Sequence, residues 1–237
     1  MDSMLTASIS GWWQDFQGDL ILNFLVDKRY LFLVNGLKIT IQVSVFAILL
    51  GMLLGFTLAF FKLSPIKPLQ AFASAYINVI RGTPVVTQLL IIYFVIFGSV
   101  NISKVLVAVI AFGINSGAYV AEIVRGGILS VDRGQTEAGR SLGLSYKQTM
   151  THIVIPQAVK NIFPALVNEF IVLLKETAIV GYIALEDLTK GADIIRSRTY
   201  DPTMPLLSAA IIYFVLTTAL SKGMSVIERR LRKGDQN

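Results

Sequence analysis

EAGRSLGLSYKQTMTHIVIP, running from Glu137 to Pro156, is the one long stretch of polar and mixed charge set between apolar segments in the middle of the chain. Glu137 to Leu142 can form a short helix. Gly143 then breaks it, because glycine tolerates the backbone angles of a tight bend. Ser145 and Gln148 stand in the S-x-x-Q capping-box spacing, which predicts the start of a second helix. Pro156 suits the first turn of a further helix, where its missing N–H costs least. The sequence therefore predicts a helix, a bend and a helix, followed by entry into an apolar segment. A polar knob of this shape suits a surface that something outside a membrane pushes on.

The chain has 237 residues, 54% hydrophobic and 15% charged. A soluble domain carries about a quarter of its residues as charges, so this composition belongs to the membrane class. There is no cysteine, which excludes disulfides and thiolate metal sites. His152 is the single histidine, so one chain cannot build a histidine cluster for a metal. No clustered catalytic set of Asp or His appears, and no catalytic residue is assigned. The first residues carry Asp2 and no basic run, so no removable signal peptide is expected. The net charge of +6 is accounted for by Lys and Arg in cytoplasmic loops; a nucleic-acid partner is not implied.

Residues 1–30 mix Asp15, Asp19 and Asp27 with Trp12, Trp13 and Phe16, the composition of a segment lying at the membrane–water interface. Residues 31–230 read as the membrane domain, with 231–237 as a basic cytoplasmic tail. About 20 apolar residues cross a bilayer, and five segments qualify. The first is 39–61, with Gly51 and Gly55 in the spacing that lets helix backbones approach. The second is broken at Arg81-Gly82-Thr83-Pro84, where proline disfavours helical angles at Thr83 and removes a hydrogen bond. The third is 105–129 and the fourth about 156–183. A polar loop over 185–203 leads to the fifth, 204–221. With the N-terminus outside, segments 62–68, 125–160 and 222–237 lie inside and hold most of the Lys and Arg, as the positive-inside rule requires. That places the knob at 131–156 in the cytoplasm.

Glu137-Ala138-Gly139, three residues, Gly143, nine residues and Ile153-Val154-Ile155-Pro156 together resemble the EAA motif of ABC importer permeases, whose pattern ends I-x-L-P. Gly139 and Ile155 are the departures. INVIRGTPVVT (77–87), GAYVAEIVRG (117–126), residues 134–144 and LLKETAIV (173–180) resemble the polar amino acid permeases in particular, and the likeness covers roughly 31–230. The resemblance implies an all-α membrane protein of the type I importer permease fold, with five spans and a cytoplasmic coupling helix between the third and fourth. It implies a multi-pass protein of the bacterial inner membrane. Its partners would be two ABC ATPase subunits, a second permease subunit (identical or a close paralogue) and an extracytoplasmic amino acid-binding protein. Glu137, Ala138, Gly139, Gly143 and Pro156 would form the ATPase-coupling site. No G-x-x-x-x-G-K-[ST] and no Gly-Lys pair occurs in the chain, so the phosphate-cradling loop is missing. ATP-Mg would be bound by the partner, and this subunit is not expected to be an enzyme.

Ionisable and polar residues inside spans are costly and face a bundle interior or cavity. Asn115, Tyr119 and Glu122 share a face at i, i+4, i+7, with Ser116 beside them. Together with Thr87 and Gln88 they form the expected substrate pocket, Glu122 meeting a cationic group of arginine, histidine or lysine. Two alternatives stay open: Glu122 pairs with Arg81 or Arg125 instead, or the same machinery takes glutamine or glutamate. A secondary transporter needing no ATPase is the rival of a different class; such folds show inverted repeats, and none is visible here.

Overall fold

The computed structural model describes residues 13–233, with side chains to residue 229. The expectations placed on Asp2, Trp12 and residues 234–237 lie outside that range. Every regular element among the described residues is helical: α1 (13–20), α2 (Tyr30–Leu63), α3 (Lys67–Arg81), α4 (Val85–Leu90, extended by a wider turn over Ile91–Ile96), α5 (Lys104–Leu129), α6 (Arg133–Ser141), α7 (Tyr146–Thr149), α8 (Ile155–Glu176), α9 (Leu188–Thr199) and α10 (Thr203–Lys233). Three of them, α2, α5 and α10, are long and apolar enough to cross a membrane, and a fourth crossing is made if α3 and α4 count as one broken span. The chain divides into two compact units, residues 43–177 with 217–237 and residues 1–42 with 178–216.

In the larger unit, α2 and α5 meet through small residues on both sides. A Cβ built on Gly51 would stand 2.9 Å from Cβ of Ser116, and one on Gly55 would stand 2.5 Å from Cβ of Val120. From the other side, Gly113 and Gly117 lie under Leu50 and Leu54. The GxxxG spacing seen on α2 is thus matched by a second on α5, and the pair lets two backbones approach without a driving force from water. Gly127 repeats the device toward α8, against Ile162 and the carbonyl of Ala158.

The break at 81–84 is where proline chemistry puts it. Pro84 is extended and begins α4, and α3 and α4 are bent by 102°. Gln88 braces the bend: its amide donates to the carbonyls of Ile80 (2.7 Å) and Thr83 (3.1 Å) and to Thr83 Oγ1 (2.7 Å).

The smaller unit packs Leu33, Leu188, Ala192, Ile195 and Ala209 into one cluster. The segment read from sequence as the polar loop 185–203 contains α9 instead. Its apolar positions, Leu188, Ala192 and Ile195, fall on one helical face, but the charges between them hide the period. Buried Asp187 starts the helix, its carboxylate accepting the N–H groups of Thr189 (3.1 Å) and Lys190 (2.9 Å). Burial pushes the Asp187 carboxyl up from its ordinary range, against these hydrogen bonds. On the exposed side Asp193 accepts from Lys190 and Arg196, which hold its carboxyl below its ordinary range. Gly36 of α2 lies directly against the carbonyl of Asp187, where a side chain would collide.

Candidate functional site

The polar residues on α5 are each met by a different element. Asn115, buried, donates to Gln88 Oε1 at 3.0 Å, so the brace across the α3–α4 bend is also tied to α5. Ser116, also buried, donates to Glu169 Oε1 of α8 at 2.9 Å. The guanidinium of Arg81 lies over the ring of Tyr119, 5.3 Å from its centroid. Glu122 is held by Lys62 of α2 (2.6 Å) and Arg125 of its own helix (2.7 Å). Gln88, Asn115 and Ser116 are therefore close neighbours, Tyr119 and Glu122 follow along the same helix, and Thr87 is exposed.

Glu122 has the structural partner Arg125 that the sequence offered as one alternative, and Lys62 besides. A carboxylate with two cations at hydrogen-bond distance has no unneutralised charge to offer a ligand. Lys62 lies in the basic segment 62–68, and nothing in the sequence signals that it reaches a residue 60 positions further on. Glu169 is an acidic residue inside the apolar segment 156–183, and its pairing with Ser116 carries no sequence signal.

The stretch 131–156 forms a tight elbow. Asp132 caps α6 through the N–H of Gly134 (2.6 Å). Gly143 takes φ +84 in open surroundings, a conformation that only glycine adopts freely. Ser145 and Gln148 form the reciprocal capping box that opens α7. Gly139 is buried, and a Cβ there would stand 2.7 Å from Thr149 Cγ2 and 3.0 Å from Ile153 Cδ1. The small residue in the third place of the motif is what lets α6 lie on α7. Glu137 is exposed, as is Ala138; the Glu137 carbonyl accepts from Ser141 Oγ at 2.9 Å, and the Ala138 carbonyl accepts the N–H of Leu142 at 3.0 Å.

Pro156 stands in the first turn of α8, as expected, but α8 is continuous with the turn before it. The backbone stays helical from α7 into α8, through a wide turn over Met150–Val154 in which the N–H of Ile155 reaches the carbonyl of Met150. The wider turn makes room for a ring that has no N–H and would press on the carbonyl four residues back. The elbow is also tied to both neighbouring helices: Gln157 of α8 donates to Gln135 of α6 (3.3 Å), and Asn161 donates to Ser130 Oγ (2.9 Å), which in turn donates to the carbonyl of Gly127 in α5 (2.8 Å).

Residues 47–233 match the family model of the binding-protein-dependent transport system inner membrane component. The chain belongs to this family. The permease is 41% identical over 206 residues to the arginine transport system permease protein ArtQ of Bacillus subtilis, covering 86% of this chain and 94% of that one. It is 35% identical over 208 residues to the glutamate/aspartate import permease protein GltK of Escherichia coli, covering 84% and 93%. Among solved structures it is similar to a chain of an amino acid ABC transporter crystallised with histidines, at 50% identity and TM-score 0.81, covering 87% of this chain and 98% of that chain. It is thus the multi-pass inner-membrane permease of an ABC importer, a transport component and not an enzyme, and such systems work with a separate binding protein and ATPase.

Proposed function

We propose that this permease forms, with a second permease subunit, the pathway of an ATP-driven importer for a polar amino acid, in first place a cationic one. Five crossings, with α8 as the fourth and the N-terminus outside, agree with the charge distribution and with the ends of α2 and α5 and the start of α8 lining one cavity. Two ATPase subunits bind below and an extracytoplasmic amino acid-binding protein above. The observation that carries the reading is the elbow. Seated on Gly139 and tied to α5 and α8, it is a stiff piece that an ATPase gripping Glu137, Ala138 and the turn at Gly143 can push, so that both helices move as rigid bodies.

The pathway lies along the polar residues of α4, α5 and α8. Thr87, Gln88, Asn115, Ser116 and Tyr119 offer the substrate hydrogen-bonding groups, in exchange for the bond between Gln88 and Asn115 and the bond from Ser116 to Glu169. Glu122 belongs to this group by position and contributes a charge only if Lys62 and Arg125 release it. Asn168 and Lys175 are exposed on α8, and polar groups on a crossing helix face water or another subunit rather than lipid. Relatives named for arginine and for glutamate/aspartate share this scaffold, so glutamine or glutamate is the second reading.

The test is reconstitution of the complex in liposomes with its binding protein, ATP inside and a panel of amino acids outside. ATP-dependent uptake of arginine, histidine or lysine is expected. Uptake by this chain alone, driven by an ion gradient, would overturn the reading; uptake of glutamine or glutamate in place of the cationic amino acids would select the second.

A further inference from the structure

The end of α2, the end of α5, the elbow and the start of α8 surround a cavity of about 540 Å³ in the larger unit. Its lining is mostly apolar, with Phe60, Leu63, Leu129 and Ile155, and its polar members are Arg133, Ser64, Thr136 and Tyr146, of which the exposed Arg133 and Tyr146 mark the mouth. The wall does not stop at the cavity. Leu53 and Phe60 continue as an exposed stripe up α2, and Ile155, Val159 and Phe163 do so up α8. A water-facing protein rarely leaves so long an apolar surface open. Along helices of membrane-crossing length, hydrocarbon covers it without cost.

The mouth has a different chemistry. Arg133 forms no ion pair among the described residues. It lines the same cavity as the hydroxyl groups of Ser64, Thr136 and Tyr146. A guanidinium with hydroxyl donors is matched to a phosphate diester, and basic pockets between membrane helices on the cytoplasmic side take anionic headgroups.

We propose that this cleft binds one anionic phospholipid, its phosphate on Arg133 and the mouth hydroxyls and an acyl chain along Phe60, Leu129 and Ile155. The charge fixes the class of lipid: a zwitterionic headgroup would bring its own cation to a mouth that already holds one. The site rests on the cytoplasmic placement of the elbow given above, and not on the choice of transported substrate. A bound lipid fills the space between the end of α2 and the elbow.

The experiment uses the assembled permease–ATPase complex, stripped in detergent and titrated with palmitoyl-oleoyl phosphatidylglycerol or phosphatidylcholine, with retention read by native mass spectrometry. One phosphatidylglycerol per permease chain should survive conditions that remove phosphatidylcholine. Arg133→Gln should weaken phosphatidylglycerol about five-fold and leave phosphatidylcholine unchanged. Leu129→Trp, which fills the cleft, should weaken both, and Arg140→Gln, outside it, neither. Should Arg133→Gln fail to assemble, Thr136→Glu places an anion at the mouth and must lower phosphatidylglycerol selectively. Equal retention of the two lipids, or full retention in Arg133→Gln, overturns the site. So does lipid binding by the permease alone that vanishes when the ATPase or a second permease covers the cleft. ATP-driven uptake measured on the same preparations separates these results from a failure of the transport reading.

Discussion

Lys62 Nζ lies 2.6 Å from Glu122 Oε1, joining the last turn of α2 to the last third of α5 across 60 residues of sequence. Arg125 closes the other side of the same carboxylate at 2.7 Å. One acid thus holds two cations that would otherwise repel each other at the end of two packed helices.

Glu122→Gln removes that charge and leaves Lys62 and Arg125 facing one another. Both side chains are partly screened, so a loss of about 1–3 kcal/mol is expected, read as a lower midpoint in thermal unfolding of the detergent-solubilised complex. Substrate affinity should stay within about two-fold, because the carboxylate is already satisfied. A large, selective loss of affinity for cationic amino acids with unchanged stability would return Glu122 to the pocket.

Gly139→Val drives two methyl groups into Thr149 and Ile153, whose atoms already lie 2.7–3.0 Å from a built Cβ. Overpacking of this kind costs about 1–3 kcal/mol, and here it lifts α6 from α7. Transport in proteoliposomes should fall at least as steeply as stability, with weaker co-purification of the ATPase. Gly139→Ala, with one methyl group that small side-chain shifts can accommodate, should fall between the two.

Gly143→Ala meets no steric obstacle, since nothing lies within 4 Å of a built Cβ. Its whole effect comes from φ +84, at about 1 kcal/mol. Comparing it with Gly139→Val by ATPase co-purification separates the angle of the bend from the contact between the two short helices. An effect of Gly143→Ala as large as that of Gly139→Val would argue that the turn itself meets the partner.

Gly55→Leu is expected to prevent stable assembly, because Val120 stands 2.5 Å from the position of the new Cβ and the backbone carbonyl of Gly117 stands close behind. Gly51→Ala, against the smaller Ser116 side chain, should be milder. Yield of monodisperse protein on size exclusion ranks the two; a well-behaved Gly55→Leu would show that α2 is not fixed to α5 at this point.

Asn115→Ala strips Gln88 Oε1 of its donor while leaving the bonds across the α3–α4 bend intact. A buried acceptor left unpaired costs about 1–3 kcal/mol. Uptake measured beside thermal stability should show both reduced.

Residue order alone determined the membrane class, most of the helical elements and the break at Pro84, because these rest on local chemistry: long uncharged runs, a ring without an N–H, a cap with its partner three residues on. The elbow was legible for the same reason, since Gly143, Ser145 and Gln148 act within a few residues of one another. α9 was missed because charges on its solvent side obscure a sparse apolar face. What only the tertiary structure decided is which polar groups meet: Gln88 with Asn115, Ser116 with Glu169, Glu122 with Lys62. Those partners stand 27, 53 and 60 residues apart, and helical spacing places a side chain on a face without saying which helix will cover it. For Lys62 and Glu122 that choice is made where Gly51, Gly55, Gly113 and Gly117 let α2 and α5 come close enough to touch.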